Sequence, residues 1–158
     1  MTIFLSCQTN KVENVDISGK WWTYNISETE YCEFDIDKNT IGEFCLYGGN
    51  SPSSEYKIDK DTLHFLDQKF ILKVISKSQF TLTSQNRTDT LTRLSNTIQT
   101  FREIENRSDS IFNLFYTEFT DRAHNCWTRY GYVNERELEN SLIKDGVIEE
   151  ELIQENKK

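Results

Sequence analysis

The 158-residue chain contains one proline, one alanine and no cysteine pair spaced C-x-x-C. The missing C-x-x-C argues against zinc-ribbon and thioredoxin-type sites. No apolar run approaches the ~18 residues that a bilayer-spanning helix needs. Cations are also scarce: 18 Lys and Arg stand against 26 Asp and Glu, a net charge of −8. No basic cluster exists to meet phosphates, so nucleic acid is not an expected partner. The two glycines of "LYGGNSP" (46–52) match neither a P-loop nor a dinucleotide fingerprint and read as a strand-linking loop.

Aromatic residues, by contrast, make up 13% of a chain that is only 36% hydrophobic. The core must therefore be built from a few large side chains. The length suits one domain with an appendage. An acidic surface of this kind is either simply solvated or docks a basic protein.

From residue 19 to 96 the pattern is one short strand after another. "GKWWTYN", "YCEFDID", "IGEFCLY", "EYKID", "TLHFL", "KFILKVIS", "SQFTLTS" and "TDTLTRLS" are separated by polar turns such as "DKNT" and "DKDT". Connections this short force antiparallel neighbours. A meander of eight strands leaves two unpaired edges, and closing it into a barrel removes both. A two-layer sandwich is the alternative. Phe34, Phe44, Phe65, Leu72 and Phe80 are the candidates for the barrel interior, either filling it or facing a ligand. The fold class expected is mainly β with carboxy-terminal helices (α+β): an eight-stranded antiparallel barrel, then two to three helices.

Two registers are open for the second and third strands. Pairing Ile36 with Ile41 sets Cys32 opposite Cys45; pairing Phe34 with Phe44 separates the cysteines and gives the better hydrophobic match. Two buried free thiols are expected. A cross-strand disulfide requires an oxidising compartment.

"GKWW" at the head of the first strand, eight meander strands and a following helix together resemble the lipocalin and wider calycin group. That family carries Gly-x-Trp on its first strand, matched by Gly19 and Trp21. Its basic residue near the end of the last strand is matched by Arg93. The resemblance implies a barrel closed at its base by Arg93 over the Trp21 indole, with Trp22 facing outward. It is nearest to the short lipocalin-like domains of bacterial envelope proteins. The start, "MTIFLSC", resembles the end of a bacterial lipoprotein signal, with small Ser6 before Cys7; Phe4 stands where that pattern prefers Leu, and a charged start is missing. This implies a truncated signal and tether over 1–18, lipid on Cys7, a membrane met only through that anchor, and a periplasmic or surface address. Without the signal the address would be cytoplasmic.

Residues 97–158 change period. Apolar residues recur at three and four from Ile98 through Phe101, Phe112, Phe115, Phe119 and Trp127 to Tyr130. Helices are expected near 97–106 and 109–129, with Ser108 as a cap and Gly131 as a stop. A third is expected from Asn134 to about Lys144. A 21-residue helix is about 30 Å long, more than a short barrel covers. Packing of helix on barrel and helix on helix is expected to cover most of the stripe; for the part left over, Phe112, Phe115, Phe119 and Trp127 are the candidates to face a partner, with a homodimer through these helices one way to cover it.

Chemistry is hard to find. His124 and Cys126 lie two apart on a helix and face away from each other. Glu33, Asp35 and Glu43 are expected to point outward. No catalytic residue, metal or cofactor is expected. The function expected is a non-catalytic envelope-tethered binding protein for a small apolar ligand or a protein. The alternative is an immunity-type inhibitor with a solid barrel.

Overall fold

A computed structural model describes residues 15–25 and 30–130. Eight strands follow in order: β1 (Gly19–Asn25), β2 (Glu30–Ile36), β3 (Thr40–Cys45), β4 (Gly49–Asp59), β5 (Thr62–Phe65), β6 (Gln68–Ser76), β7 (Gln79–Thr83) and β8 (Thr88–Arg93). Each pairs antiparallel with its neighbour, and β8 returns to β1, so the sheet is a closed eight-stranded meander barrel. Two helices follow, α1 (Phe101–Ile104) and α2 (Asp109–Arg129). The second helix has its expected bounds. The first is a single turn, because residues 95–100 form polar turns before it. The third expected helix and Gly131 lie outside the described residues.

Strand alternation sorts the side chains into two clusters. Trp21, Ile36, Ile41, Leu63, Leu72, Phe80 and Leu91 form the buried centre of the barrel, with Phe34 and Phe65 packed against them. Tyr31, Phe44, Phe115, Phe119, Ala123 and Trp127 form a second cluster between the outer wall and the helices. The adjacent tryptophans divide as alternation requires. Trp21 lies in the barrel cluster, and Trp22 packs against the cluster beneath the helices.

The β2–β3 register is Ile36↔Ile41, with Phe34 opposite Glu43 and Cys32 opposite Cys45. The Phe34–Phe44 match is therefore not used. Turn chemistry decides it: the Asp37 carboxylate accepts from the backbone N–H groups of Asn39 and Thr40, both at 2.8 Å. Ile41 is then on the inner face, and Phe44, three residues on, is on the outer one. Phe44 was expected inside. It stacks on Phe101 and meets Phe115 and Phe119 edge-on.

The same register joins Cys32 and Cys45 in a disulfide, with Cα atoms 4.1 Å apart, where free thiols were expected. The loop reading of "LYGGNSP" is also corrected: Gly49 to Pro52 belong to β4. The β3–β4 register steps from Glu43↔Ser51 to Ile41↔Ser54, so β4 carries an extra residue there. Pro52 falls in this bulge, where its missing N–H costs no ladder bond.

Candidate binding surfaces

The base of the barrel is built from Gly19, Trp21 and Arg93. Trp21 is opposite Arg93 in the β1–β8 register, and the guanidinium carbon lies 4.8 Å from the indole centroid. Trp21 donates Nε1–H to the Ile17 carbonyl at 2.8 Å, and Arg93 donates Nη2–H to the Ser18 carbonyl at 2.9 Å. Gly19 has φ +131°, and a Cβ there would collide with the Arg93 guanidinium. Glycine is thus required twice over, by backbone conformation and by space. Val15 and Ile17, placed by sequence in a tether, pack into the barrel cluster and close this end. Cys7 lies outside the described residues.

Of the five expected interior residues, Phe34, Phe65, Leu72 and Phe80 belong to the barrel cluster, and Phe44 does not. Leu72 is buried and Phe80 fully so by their own neighbours, and Phe80 meets the Trp21 ring edge-on at 4.6 Å. The inner face turns polar toward the other end. Glu43 was expected outside, yet it shares the inner face with Cys45, its Oε1 3.4 Å from the sulfur. Burial first, then the charge of Glu30, pushes the Glu43 carboxyl above its ordinary range; Arg87 opposes this and Asp89 adds to it.

Glu33 and Asp35 do face away from the interior, as alternation predicts, but the helices cover them. Glu33 is 3% exposed, and it accepts from Arg122 Nε at 2.6 Å, Arg122 Nη2 at 3.0 Å and the Tyr31 hydroxyl at 2.8 Å. Burial and then the Glu33 charge push the Tyr31 phenol far up. Burial works against the Arg122 charge, but its bonds to Glu33 outweigh that and raise its pKa. The Asp35 carboxylate accepts from the Thr100 hydroxyl at 2.6 Å, and Asp37 pairs with Arg102 at 2.7 Å. Sequence reasoning missed this polar seam. Part of its signal was present, three carboxylates alternating along β2 and its turn; their partners Thr100, Arg102 and Arg122 follow no spacing that marks them as a set.

The stripe on α2 divides. Phe115, Phe119 and Trp127, candidates to face a partner, are instead buried against the chain's own barrel, the intramolecular packing also expected of the stripe, because the outer wall of β1–β3 is apolar too. Phe112 remains 37% exposed and stacks with Tyr116 at 6.1 Å; Ile111 and Leu114 are exposed on the other flank. Ser108 is the N-cap by position, but its hydroxyl meets Ser110 and not the helix backbone. His124 is exposed beside buried Cys126, whose thiol burial pushes up to about 11. Beyond the helix end, an open groove of ≈ 910 Å³ is lined by Trp22, Tyr24, Gln79, Thr92 and Tyr130 among others.

No family model matches the chain, and no curated protein or solved structure matches it either.

Proposed function

We propose that this chain is a non-catalytic, lipocalin-like protein of a bacterial cell envelope that binds a protein partner through its helical face. The observation that carries the reading is the state of the barrel's centre. Trp21, Phe34, Leu63, Leu72, Phe80 and Leu91 pack there as one cluster, and the 15–18 segment closes the base. An apolar ligand of ordinary size asks for a cavity of about 300 Å³ or more, which those side chains would have to vacate. Exposed apolar residues instead lie on the first turns of α2, Phe112 with Tyr116 on one flank of buried Phe115 and Ile111 with Leu114 on the other, so a partner there would straddle the helix. The excess of acid over base in the whole chain, −8 in net charge, favours a basic partner. The Cys32–Cys45 disulfide supports an oxidising compartment, in line with the lipoprotein-like Cys7 motif.

A photocrosslinking residue at Leu114 tests the partner. Envelope extract should yield one discrete adduct, lost when Phe112→Glu and Tyr116→Glu are combined, and none from the same probe at Lys73. Palmitate and haem should leave the melting temperature unchanged. Saturable stabilisation by either, or no adduct from Leu114, overturns the reading. The genomic DNA upstream of Met1 tests the address, since an in-frame charged and apolar leader is expected there.

A further inference from the structure

The tripeptides Glu-Tyr-Cys (30–32) and Glu-Phe-Cys (43–45) place a carboxylate two residues before each cysteine of the disulfide. Residues two apart on a strand share a face. Pairing Cys32 with Cys45 therefore sets Glu30, Cys32, Glu43 and Cys45 on one inner patch of the β2–β3 ladder. The geometry agrees. One ligand atom from each of Glu30, Cys32 and Cys45 lies within 4.8 Å of the others, and a Glu43 oxygen is 3.4 Å from the Cys45 sulfur. Both carboxylates are held from behind. Glu30 accepts the Gly48 N–H at 2.9 Å, and Glu43 is hydrogen-bonded by Ser51. A hydrogen bond that holds a carboxylate from behind orients it toward a metal.

We propose that this patch is a redox-gated site for a thiophilic divalent cation such as zinc, with Cys32, Cys45, Glu30 and Glu43 as its ligands. In the disulfide form the sulfurs have no charge to donate and the site is closed. A dithiol reductant opens it. Its two thiols become a disulfide, two electrons pass to the cysteine sulfurs, and two protons follow to make two thiols. The cation then displaces those protons and takes two thiolates and two carboxylates. Zinc–sulfur bonds of about 2.3 Å and zinc–oxygen bonds of about 2.1 Å put tetrahedral ligand atoms roughly 3.4–3.8 Å apart. Glu30 lies within 4.8 Å of both sulfurs, which part on reduction, and Glu43 completes the set by swinging in from the Cys45 side. The charge balance favours the cation. Glu30 and Glu43 flank the pair, while Arg87 and Asp89, bonded to each other at 2.6 Å, act on Glu43 in opposite directions. Two thiolates added to that neighbourhood without a cation would be strongly repelled. The inference does not rest on the proposed partner or address.

Cobalt(II) is the probe. The full chain carrying Cys7→Ser and Cys126→Ser leaves this thiol pair alone. It is reduced with a phosphine, which takes oxygen from water as it gives two electrons to the disulfide, and is desalted without air. Titration should produce the ligand-field bands of tetrahedral cobalt and a sulfur-to-cobalt charge-transfer band. Both should saturate at one cobalt per chain, yield to zinc, and be absent from the unreduced chain. Glu30→Gln and Glu43→Gln should each weaken cobalt binding at least about tenfold while circular dichroism stays the same. Tetrahedral bands missing after reduction overturn the proposal, as does saturation at half a cobalt per chain or unchanged affinity in both glutamine variants. Should reduction unfold the chain, zinc should restore its melting transition; failure to do so also overturns it.

Discussion

The Arg122 guanidinium grips the Glu33 carboxylate with two nitrogens, Nε to Oε1 at 2.6 Å and Nη2 to Oε2 at 3.0 Å, across 89 residues of chain. This forked contact ties α2 to the wall of the barrel. It lies amid an otherwise apolar cluster, so its two halves depend on each other. Arg122→Met should leave the buried Glu33 charge with only Tyr31 and cost about 2–4 kcal/mol, somewhat below a fully buried pair because Arg122 keeps some solvent contact. Adding Glu33→Leu should recover most of that loss. Urea midpoints of the two single variants and the double variant measure the coupling. Purely additive losses would show that the pair does not fasten the helix.

Closure at the base can be tested in the same manner. Gly19→Ala forces a side chain into φ +131° and onto the Arg93 guanidinium. A loss of about 1–3 kcal/mol is expected. In an Arg93→Ala background the steric part vanishes and a smaller, conformational cost remains. Arg93→Lys alone should cost about 1 kcal/mol, since a lysine lacks the planar face that lies on Trp21. Tryptophan fluorescence during unfolding reports both.

Asp37 sets an acid limit. The N–H groups of Asn39 and Thr40 lead in holding its carboxyl at about 2, below the ordinary 3.8, with Arg102 adding a smaller share. A depressed folded pKa contributes stability that is fully present above the unfolded value and is lost as pH falls toward the folded one. Asp37→Asn should therefore flatten the stability profile between about pH 4 and pH 2 and leave the neutral plateau's shape unchanged. Urea midpoints across that range decide it, and an unaltered acid slope would rule the assignment out.

The turn between β5 and β6 is built against preference. Leu66 and Asp67 have φ +48° and +58°, between the paired residues Phe65 and Gln68. Two successive positive φ angles in a two-residue hairpin favour Asn-Gly. Leu66 is 54% exposed and buries little. Replacing the pair by Asn-Gly should raise stability by about 1 kcal/mol, read as a higher melting temperature. A drop would mean that the Leu66 side chain has a packing role that its exposure conceals.

Much of the barrel was legible because its signals are local. Alternation in "YCEFDID" and "SQFTLTS" marks strands, and polar turns between them mark antiparallel connections. The repeated "IDKNTI" and "IDKDTL" segments do share one register, Ile36↔Ile41 and Ile58↔Leu63. Their turns nonetheless differ, since Lys60 takes φ +59° while neither residue of Lys38–Asn39 has a positive φ. The α2 bounds were also legible, from Ser108 and the three–four spacing that follows it. Two faces were not. Phe44 carries the same hydrophobic signal whether it meets the barrel centre or a helix. Glu43 carries the same polar signal whether it meets water or a barrel's inner mouth.

By itself the amino-acid order determined strand number, their antiparallel succession, the helix that follows, and glycine with tryptophan at the seam. These depend on spacing and turn chemistry within a few residues. Only the tertiary structure decided which wall of β1–β3 the helix would cover, and hence that Phe115, Phe119 and Trp127 turn inward and that Cys32 meets Cys45. The inward turn of the helix rests on contacts between segments tens of residues apart, where burial of two apolar walls at once set the faces. The cysteine pairing rests on a choice between two registers that the sequence left open, and the Asp37 hydrogen bonds to Asn39 and Thr40 settle it in the folded turn.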